Sequence, residues 1–250
     1  MSGERLSLAW GLHAVRVLLE RDPGRIRRLW LQQGRDDNRL RALQDLAGSA
    51  RIGVEVRAAA ELDRVTDGAV HQGVVAELAA SRTCDEADLA GLVEFAGRGL
   101  LVLVLDGVQD PHNLGACLRT ADAAGASAVV APRDRAVGLT PVVRKVAAGA
   151  AETVPFVQVT NLARTLRKLK DAGVWIVGTA DTAEKELFDA DLTGPLALVM
   201  GAEGAGMRRL TREACDVSVR LPMRGVVESL NVSVATGIAL YEALRQRRQA

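Results

Sequence analysis

The rhythm of apolar positions along this chain changes near residue 97. Before that point Leu12, Val15, Leu18 and Leu19 recur at helical spacing until Asp22-Pro23-Gly24 stops them, and Arg28-Leu29-Trp30-Leu31 reads as a short strand. Residues 40–47 predict a second helix, and residues 52–56 and 73–78 predict strands, which together make a small α/β unit. The stretch from Cys84 to Glu94 is acidic and predicts a helix, broken by Gly97-Arg98-Gly99 just ahead of the most apolar run in the chain.

From there strand and helix alternate. Residues 100–105, 128–131, 154–157, 174–177, 196–200 and 217–221 predict buried strands, with helical stretches between most of them. Continuous apolar strands separated by helices imply a parallel sheet covered on both faces. The predicted fold class is therefore α/β, with a small domain over residues 1–77, an acidic linker over 78–97 and a parallel-sheet domain over 98–250. Ligands of such sheets bind at the carboxyl ends of the strands, which directs attention to the loops that follow them.

Three of those loops carry unusual residues. The first runs from Asp106 to Gly115 and leads into a helix bearing Arg119 and Asp122. Asp110-Pro111 suits a helix start, because Asp caps free backbone N–H groups and Pro fits the first turn. That does not account for Asn113 and Arg119. Six residues apart, or about 600° on a helical wheel, they converge only if Asn113 lies in the loop or first turn. In the second loop, residues 200–207, glycines let backbone approach a ligand and a carboxylate can accept hydrogen bonds, although a Gly-rich turn can equally be structural. Its G-x-x-G-x-G spacing is neither the dinucleotide fingerprint nor a P-loop. The third loop joins Val219-Arg220-Leu221-Pro222-Met223 to Ser229-Leu230-Asn231-Val232-Ser233 and opens a long apolar helix. Ser229 or Asn231 alone could be an N-cap, yet Glu228, Ser229, Asn231 and Ser233 crowd one turn. The charged tail Arg245 to Arg248 reads as a solvated helix end.

Composition narrows the chemistry. With 48% hydrophobic and 25% charged residues the 250-residue chain is globular rather than disordered. It holds no apolar run of the roughly 18 residues a membrane span needs, and its start lacks a signal-peptide pattern, so a cytoplasmic location without membrane contact is expected. Cys84, Cys117 and Cys215 are odd in number and far apart, which suggests buried thiols rather than disulfides. His13, His71 and His112 lack ligand spacing, so no metal site is expected. Trp10, Trp30 and Trp175 read as core or interface residues before base-stacking ones. The net charge of +1 conceals a basic first segment, with 11 Arg against 7 acids over residues 1–57, followed by 2 Arg against 8 acids over 58–97. Clustered Arg can neutralise phosphates and fork onto guanine edges, which suits RNA, although 28 Arg against 4 Lys also fits codon bias.

Taken together, the strings DGVQDPHNLGACLRTADAAG, LVMGAEGAGM and LPMRGVVESLNVSVATGI resemble the signature motifs of the SpoU family of RNA 2′-O-methyltransferases, in the family's order. WGLHAVRVLLE and DGAVHQGVVAEL are similar to the subgroup that methylates a guanosine of the large-subunit (23S) rRNA. The resemblance covers nearly the whole chain. It implies a trefoil knot in the C-terminal domain, an N-terminal domain like a small RNA-binding ribosomal protein, S-adenosyl-L-methionine as cofactor, and a homodimer. By motif position it implies a cofactor pocket involving Gly201, Leu221, Met223 and Leu230, and a reaction site of Asn113, Arg119, Glu203, Ser229 and Asn231. Alternatives are a SpoU enzyme acting on tRNA or another rRNA nucleotide, and a non-catalytic RNA-binding protein of ribosome assembly. The extra N-terminal domain argues against the minimal tRNA type, and the intact motifs argue against a dead enzyme.

Overall fold

The chain divides into two units, Met1–Arg82 and Thr83–Ala250, in a computed structural model that describes residues 7–21, 23–35, 37–79, 84–202 and 204–249. Asp22, Glu203 and the side chain of His13, all used in the sequence reading, lie outside the described residues.

In the first unit the elements run β1 (Ser7–Trp10), α1 (Leu12–Arg21), β2 (Ile26–Gln32), α2 (Asn38–Ser49), β3 (Gly53–Arg57), α3 (Ala59–Val65) and β4 (Val74–Leu78). The sheet order is β1-β4-β2-β3, with β2 and β3 parallel and the other pairs antiparallel. Period-two alternation along β2 separates two small cores. Leu29 and Leu31 join Val15, Leu18, Leu40 and Leu43 of α1 and α2, whereas Trp30 packs with Leu62 of α3 and Val75 of β4. Trp30 is therefore a core residue, with the Arg57 guanidinium 4.6 Å above its ring.

The second unit contains α4 (Glu86–Ala96), β5 (Leu101–Asp106), α5 (Pro111–Ala123), β6 (Ala128–Pro132), α6 (Pro141–Ala147), α7 (Ala150–Thr153), β7 (Phe156–Val159), α8 (Leu162–Asp171), β8 (Trp175–Thr179), β9 (Lys185–Glu186), β10 (Leu196–Gly201), α9 (Arg209–Ala214), β11 (Val217–Arg220) and α10 (Val232–Arg247). Seven parallel strands lie in the order β7-β6-β5-β10-β8-β11-β9. Both faces are covered, as the continuous apolar runs predict. Leu101, Leu103 and Leu105 of β5 point into a core made with α5, α6, α7 and α10, and Val102 and Val104 point into another made with α4, α8 and α9. Each such side chain, fully removed from water, contributes about 1.5–3 kcal/mol before entropy is counted.

Two segments differ from the sequence reading. The acidic stretch expected to be a linker folds, from Cys84 onward, with the second unit. Asp85 and Asp88 form a reciprocal capping box on α4, Leu89 enters the sheet core, and Glu86 accepts from Arg164 at 3.1 Å and Lys168 at 3.3 Å on α8. The C-terminal tail is also not simply solvated. Arg247 is partly buried and donates to the carbonyls of Gly99, Leu100, Leu192 and Gly194 at 2.6 to 3.2 Å, and Arg245 pairs with the buried Glu242 at 2.7 Å. The guanidinium of Arg247 exchanges water for carbonyl oxygens and pins the end of α10 to the start of β5 and the approach to β10.

Candidate active site

The three loops singled out by sequence leave the carboxyl ends of β5, β10 and β11. β5 and β10 are neighbours in which Gly201 is registered against Asp106, and β11 stands two strands from β10, with β8 between them. The first loop turns at Gly107, whose φ of +87° lies in the left-handed region that favours glycine. Asp110 then caps α5 by accepting the His112 N–H at 3.1 Å, with Pro111 in the first turn. Asn113 falls in that first turn and Arg119 stands nearly two turns later, exposed, its side chain making no hydrogen bond to any described residue.

The second loop is a closed lasso. Ala202 and Gly206 exchange backbone hydrogen bonds, with the N–H of each donating to the carbonyl of the other at 3.1 and 2.9 Å. The neck of the lasso is so narrow that a Cβ on Gly201 would lie 2.3 Å from the carbonyl carbon of Gly206 and 2.4 Å from the nitrogen of Met207. Backbone cannot yield as a flexible side chain can, so any side chain at position 201 must open the lasso. Glu203, between these residues, lies outside the described residues.

The third loop, residues 221–230, has no regular structure and delivers Asn231 as the N-cap of α10. The Asn231 Oδ1 accepts from the backbone N–H of Ser233 at 2.9 Å and from its hydroxyl at 2.6 Å. Its Nδ2 donates to Oδ1 of Asn113 at 2.9 Å. This bond joins the starts of α5 and α10, whose bodies also pack together.

A cleft of about 270 Å³ opens between the lasso, the third loop and the end of β8. Gly201, Leu221, Met223 and Leu230 all line it, and so does Ser229. Asn113, Arg119 and Asn231 do not. The sequence-derived residues thus fall into a cleft group and an Asn113–Asn231 pair at adjacent helix starts, and no described hydrogen bond joins Arg119 to either. A cleft lined by Leu221, Met223 and Leu230 together with the glycines of the lasso fits a flat heterocycle carrying polar substituents. Two larger grooves of about 380 Å³ lie around Trp175 and Lys185 and between α4 and α8, and neither is lined by any of the three loops.

Thiol chemistry is not available here. Burial pushes the Cys117 thiol up to about 11, and burial together with the nearby Asp216 carboxylate pushes Cys215 up to about 12, so both are neutral at pH 7. Among the described residues no cluster of three His, Cys, Asp or Glu could hold a metal ion, and no helix is long and apolar enough to cross a membrane.

Sequence reasoning passed over one pair at the root of these loops. The Asp106 side chain is fully buried, and it accepts the backbone N–H of Arg208 at 2.8 Å and Nε of the same residue at 2.6 Å. An acid closing an otherwise wholly apolar strand was the available signal, but its partner is 102 positions away.

Residues 100–241 match the model of the SpoU rRNA Methylase family, and residues 8–84 match that of the RNA 2′-O ribose methyltransferase substrate-binding domain. The chain is 57% identical over 244 residues to the 23S rRNA (guanosine-2′-O-)-methyltransferase RlmB of Pseudomonas putida, covering 98% of each chain. It is 52% identical to the protein of that name from Escherichia coli K12, covering 96% of this chain and 98% of the relative. Among solved structures, the SpoU methyltransferase AviRb from Streptomyces viridochromogenes in complex with AdoMet is similar with a TM-score of 0.73 and 25% identity, over 98% of this chain and 92% of that one. The A. aeolicus TrmH/SpoU tRNA modifying enzyme is similar over 66% of this chain and 84% of its own, with a TM-score of 0.56 and 33% identity.

Proposed function

The chain belongs to the SpoU rRNA methylase family, and on that premise we propose that it methylates the ribose 2′-hydroxyl of a guanosine in 23S rRNA, using S-adenosyl-L-methionine. The observation that carries the reading is the identity of 57% over 98% of the chain to a relative of that activity, a span that takes in all three loops. The tRNA-modifying neighbours are similar over only 60–66% of the chain, which favours rRNA over tRNA.

The residues fit the cofactor. Gly201 and the lasso supply one wall of the cleft, and Leu221, Met223 and Leu230 supply apolar contacts for an adenosyl group. When bound, the cofactor supplies an electrophilic methyl group on a sulfonium. The chain must then place a 2′-hydroxyl in line and ease the loss of its proton. Arg119 does this as a cation. Neutral guanidinium at pH 7 would cost about 7 kcal/mol, so literal general-base action is unfavourable. A charged Arg119 instead holds an adjacent RNA phosphate and lowers the hydroxyl pKa, and the proton leaves through phosphate or water. Asn113 and Glu203 hold Arg119 and the ribose, and Ser229 and Asn231 fix the third loop. The Asn113–Asn231 hydrogen bond supports this division, because it already ties the two helix starts together.

The same reading includes a homodimer. Val226 is fully exposed, and Val227, Val234 and Tyr241 are at least half exposed, all on the third loop and α10 beside the proposed site. Apolar side chains left exposed on these two elements suit burial against a second copy. Light scattering is expected to give about 53 kDa, twice the chain's 26.5 kDa, and a fully active monomer would remove the dimer from the proposal. The trefoil knot is proposed with it, supported by a terminal helix that returns along α5 and β10 after β11 has been laid on the far side of β8. A cytoplasmic location follows from the rRNA substrate, and residues 1–77 are proposed to bind that RNA while residues 98–250 carry the catalytic site.

The test is methyl transfer. Purified protein and radiolabelled cofactor are expected to modify 23S rRNA from a strain lacking the gene, at one guanosine found by mapping 2′-O-methyl riboses, and to leave wild-type rRNA unmodified. Labelling of tRNA alone would overturn the substrate assignment.

A further inference from the structure

The Asp106–Arg208 pair lies at the root of two loops that the proposed chemistry needs, and it has no part in that chemistry. Asp106 is the last residue of β5 and is registered against Gly201, the last residue of β10. On one side of Asp106 the chain turns at Gly107 toward α5, Asn113 and Arg119. On the other side its carboxylate reaches the exit of the lasso, taking the backbone N–H of Arg208 on one oxygen and the guanidinium on the other, with Nε and Nη2 both at 2.6 Å. The first loop also runs close to the lasso, since a Cβ added at Gly107 would sit 3.7 Å from that of Ala202.

We propose that Asp106 and Arg208 are a positioning pair that sets the lasso for cofactor and registers it against the loop carrying Asn113. The inference rests on the cofactor reading above. Three features make the pair more than a support for the sheet. The Asp106 side chain has no solvent exposure and that of Arg208 is 43% exposed, so the anion is fixed in the scaffold while the cation belongs to the lasso side of the contact. The bonds are made to the lasso exit, where Gly206 and Met207 press on Gly201 and line the cleft. Among the described residues two backbone hydrogen bonds, between Ala202 and Gly206, hold the neck, so the angle at which the lasso leaves the sheet depends on where Arg208 is held. A charge-assisted contact to a buried carboxylate has the strength and direction to set that angle.

The experiment measures S-adenosylhomocysteine affinity of the full-length protein by isothermal titration, well below the melting temperature. Arg208→Ala is expected to bind about tenfold more weakly, through loss of the charge-assisted guanidinium contact to Asp106, with its circular dichroism spectrum unchanged. Arg208→Lys, which keeps a cationic donor, recovers most of the affinity. Asp106→Asn loses at least as much, and adding Arg208→Ala to it costs nothing further, because the two residues act as one unit. Hydrogen exchange at the Ala202 and Gly206 amides speeds up in Arg208→Ala without cofactor, and not at strand amides of β5 or β10. Wild-type affinity in Arg208→Ala, or additive losses in the double variant, overturns the positioning role. If Asp106→Asn does not fold, the Arg208 pair of variants and the exchange data still decide the matter. Failure of the unaltered protein to bind S-adenosylhomocysteine would instead count against the cofactor reading.

Discussion

Replacing Arg119 by alanine is expected to slow methyl transfer about a hundred- to a thousandfold while leaving S-adenosylhomocysteine affinity unchanged. Arg119 is exposed on α5, lines no part of the cleft, and its side chain makes no hydrogen bond with any described residue, so its truncation removes neither a core contact nor a cofactor contact. Substitutions away from such features change stability by roughly 0.5 kcal/mol or less, so a large rate effect cannot be charged to unfolding. The chemistry places the whole loss on the RNA side of the reaction. A guanidinium that orients a phosphate and stabilises a developing oxyanion contributes only when the ribose is in place. Arg119→Lys should also be poor, because an ammonium is a point charge without the planar fork. Single-turnover rates on 23S rRNA, paired with calorimetric titration of cofactor product, separate the two effects. Near-normal turnover in either variant would take the catalytic role from Arg119.

The sheet was legible because its strands are buried on both faces and so read as unbroken apolar runs. The run before Phe156 shows where that signal misleads. Val154 looks like the start of a strand, but its N–H donates to the Ala150 carbonyl at 3.0 Å, so it closes α7 and the strand begins after Pro155. β1 and β9 were missed, the first because Ser7–Trp10 is short and mixed, the second because two residues show no period. The acidic stretch was read by net charge, which says nothing of partners. Glu86 meets Arg164 and Lys168 some eighty positions on, and with them the helix becomes part of the sheet's cover. The tail arginines were misread for the same reason, since the carbonyls that Arg247 binds come from the approaches to β5 and β10.

The cleft residues were legible for a different reason. Gly, Pro and Asn in loops have local mechanical meaning, so the glycine-rich loop and the polar turn around Asn231 stood out before any fold was known, and the resemblance then supplied Gly201, Leu221, Met223 and Leu230. The link from Asn231 to Asn113 spans 118 positions and could be proposed only through the motif order, and Asp106–Arg208 belongs to no motif. What the sequence conceals is contact between distant positions, and polar contacts set the site's geometry.

Removing the first unit is expected to leave cofactor binding intact and to cut methylation of 23S rRNA by at least about a hundredfold. A pocket for one ribose reads only a nucleotide and its neighbours, and a second RNA contact on the same chain adds effective concentration worth roughly two to four orders of magnitude. The cut belongs between residues 82 and 83, where the two units separate, and not at residue 98. A chain starting at residue 98 would lose α4 with Leu89 and expose the core around Val102, confusing poor folding with poor RNA selection. Ion pairs within this unit decide which of its arginines can report on RNA. Arg28 is already paired with Glu55 and with the buried Glu77, both at 3.1 Å, and Arg57 pairs with Glu55 at 2.7 Å. Reversing Arg28 would set a carboxylate against two others and destabilise the sheet. Arg27, Arg39 and Arg51 are exposed, and their guanidinium groups make no hydrogen bond or ion pair with the described residues, so they are the better probes of phosphate binding. Changing all three to Glu should weaken rRNA binding and lower the slope of log affinity against log salt by about 0.7 to 0.9 for each phosphate no longer neutralised. Single-turnover methylation by the full-length chain, residues 83–250 and the triple variant, at one salt concentration, is the deciding comparison. Equal rates and the same modified guanosine from residues 83–250 would show that the catalytic unit alone selects its RNA.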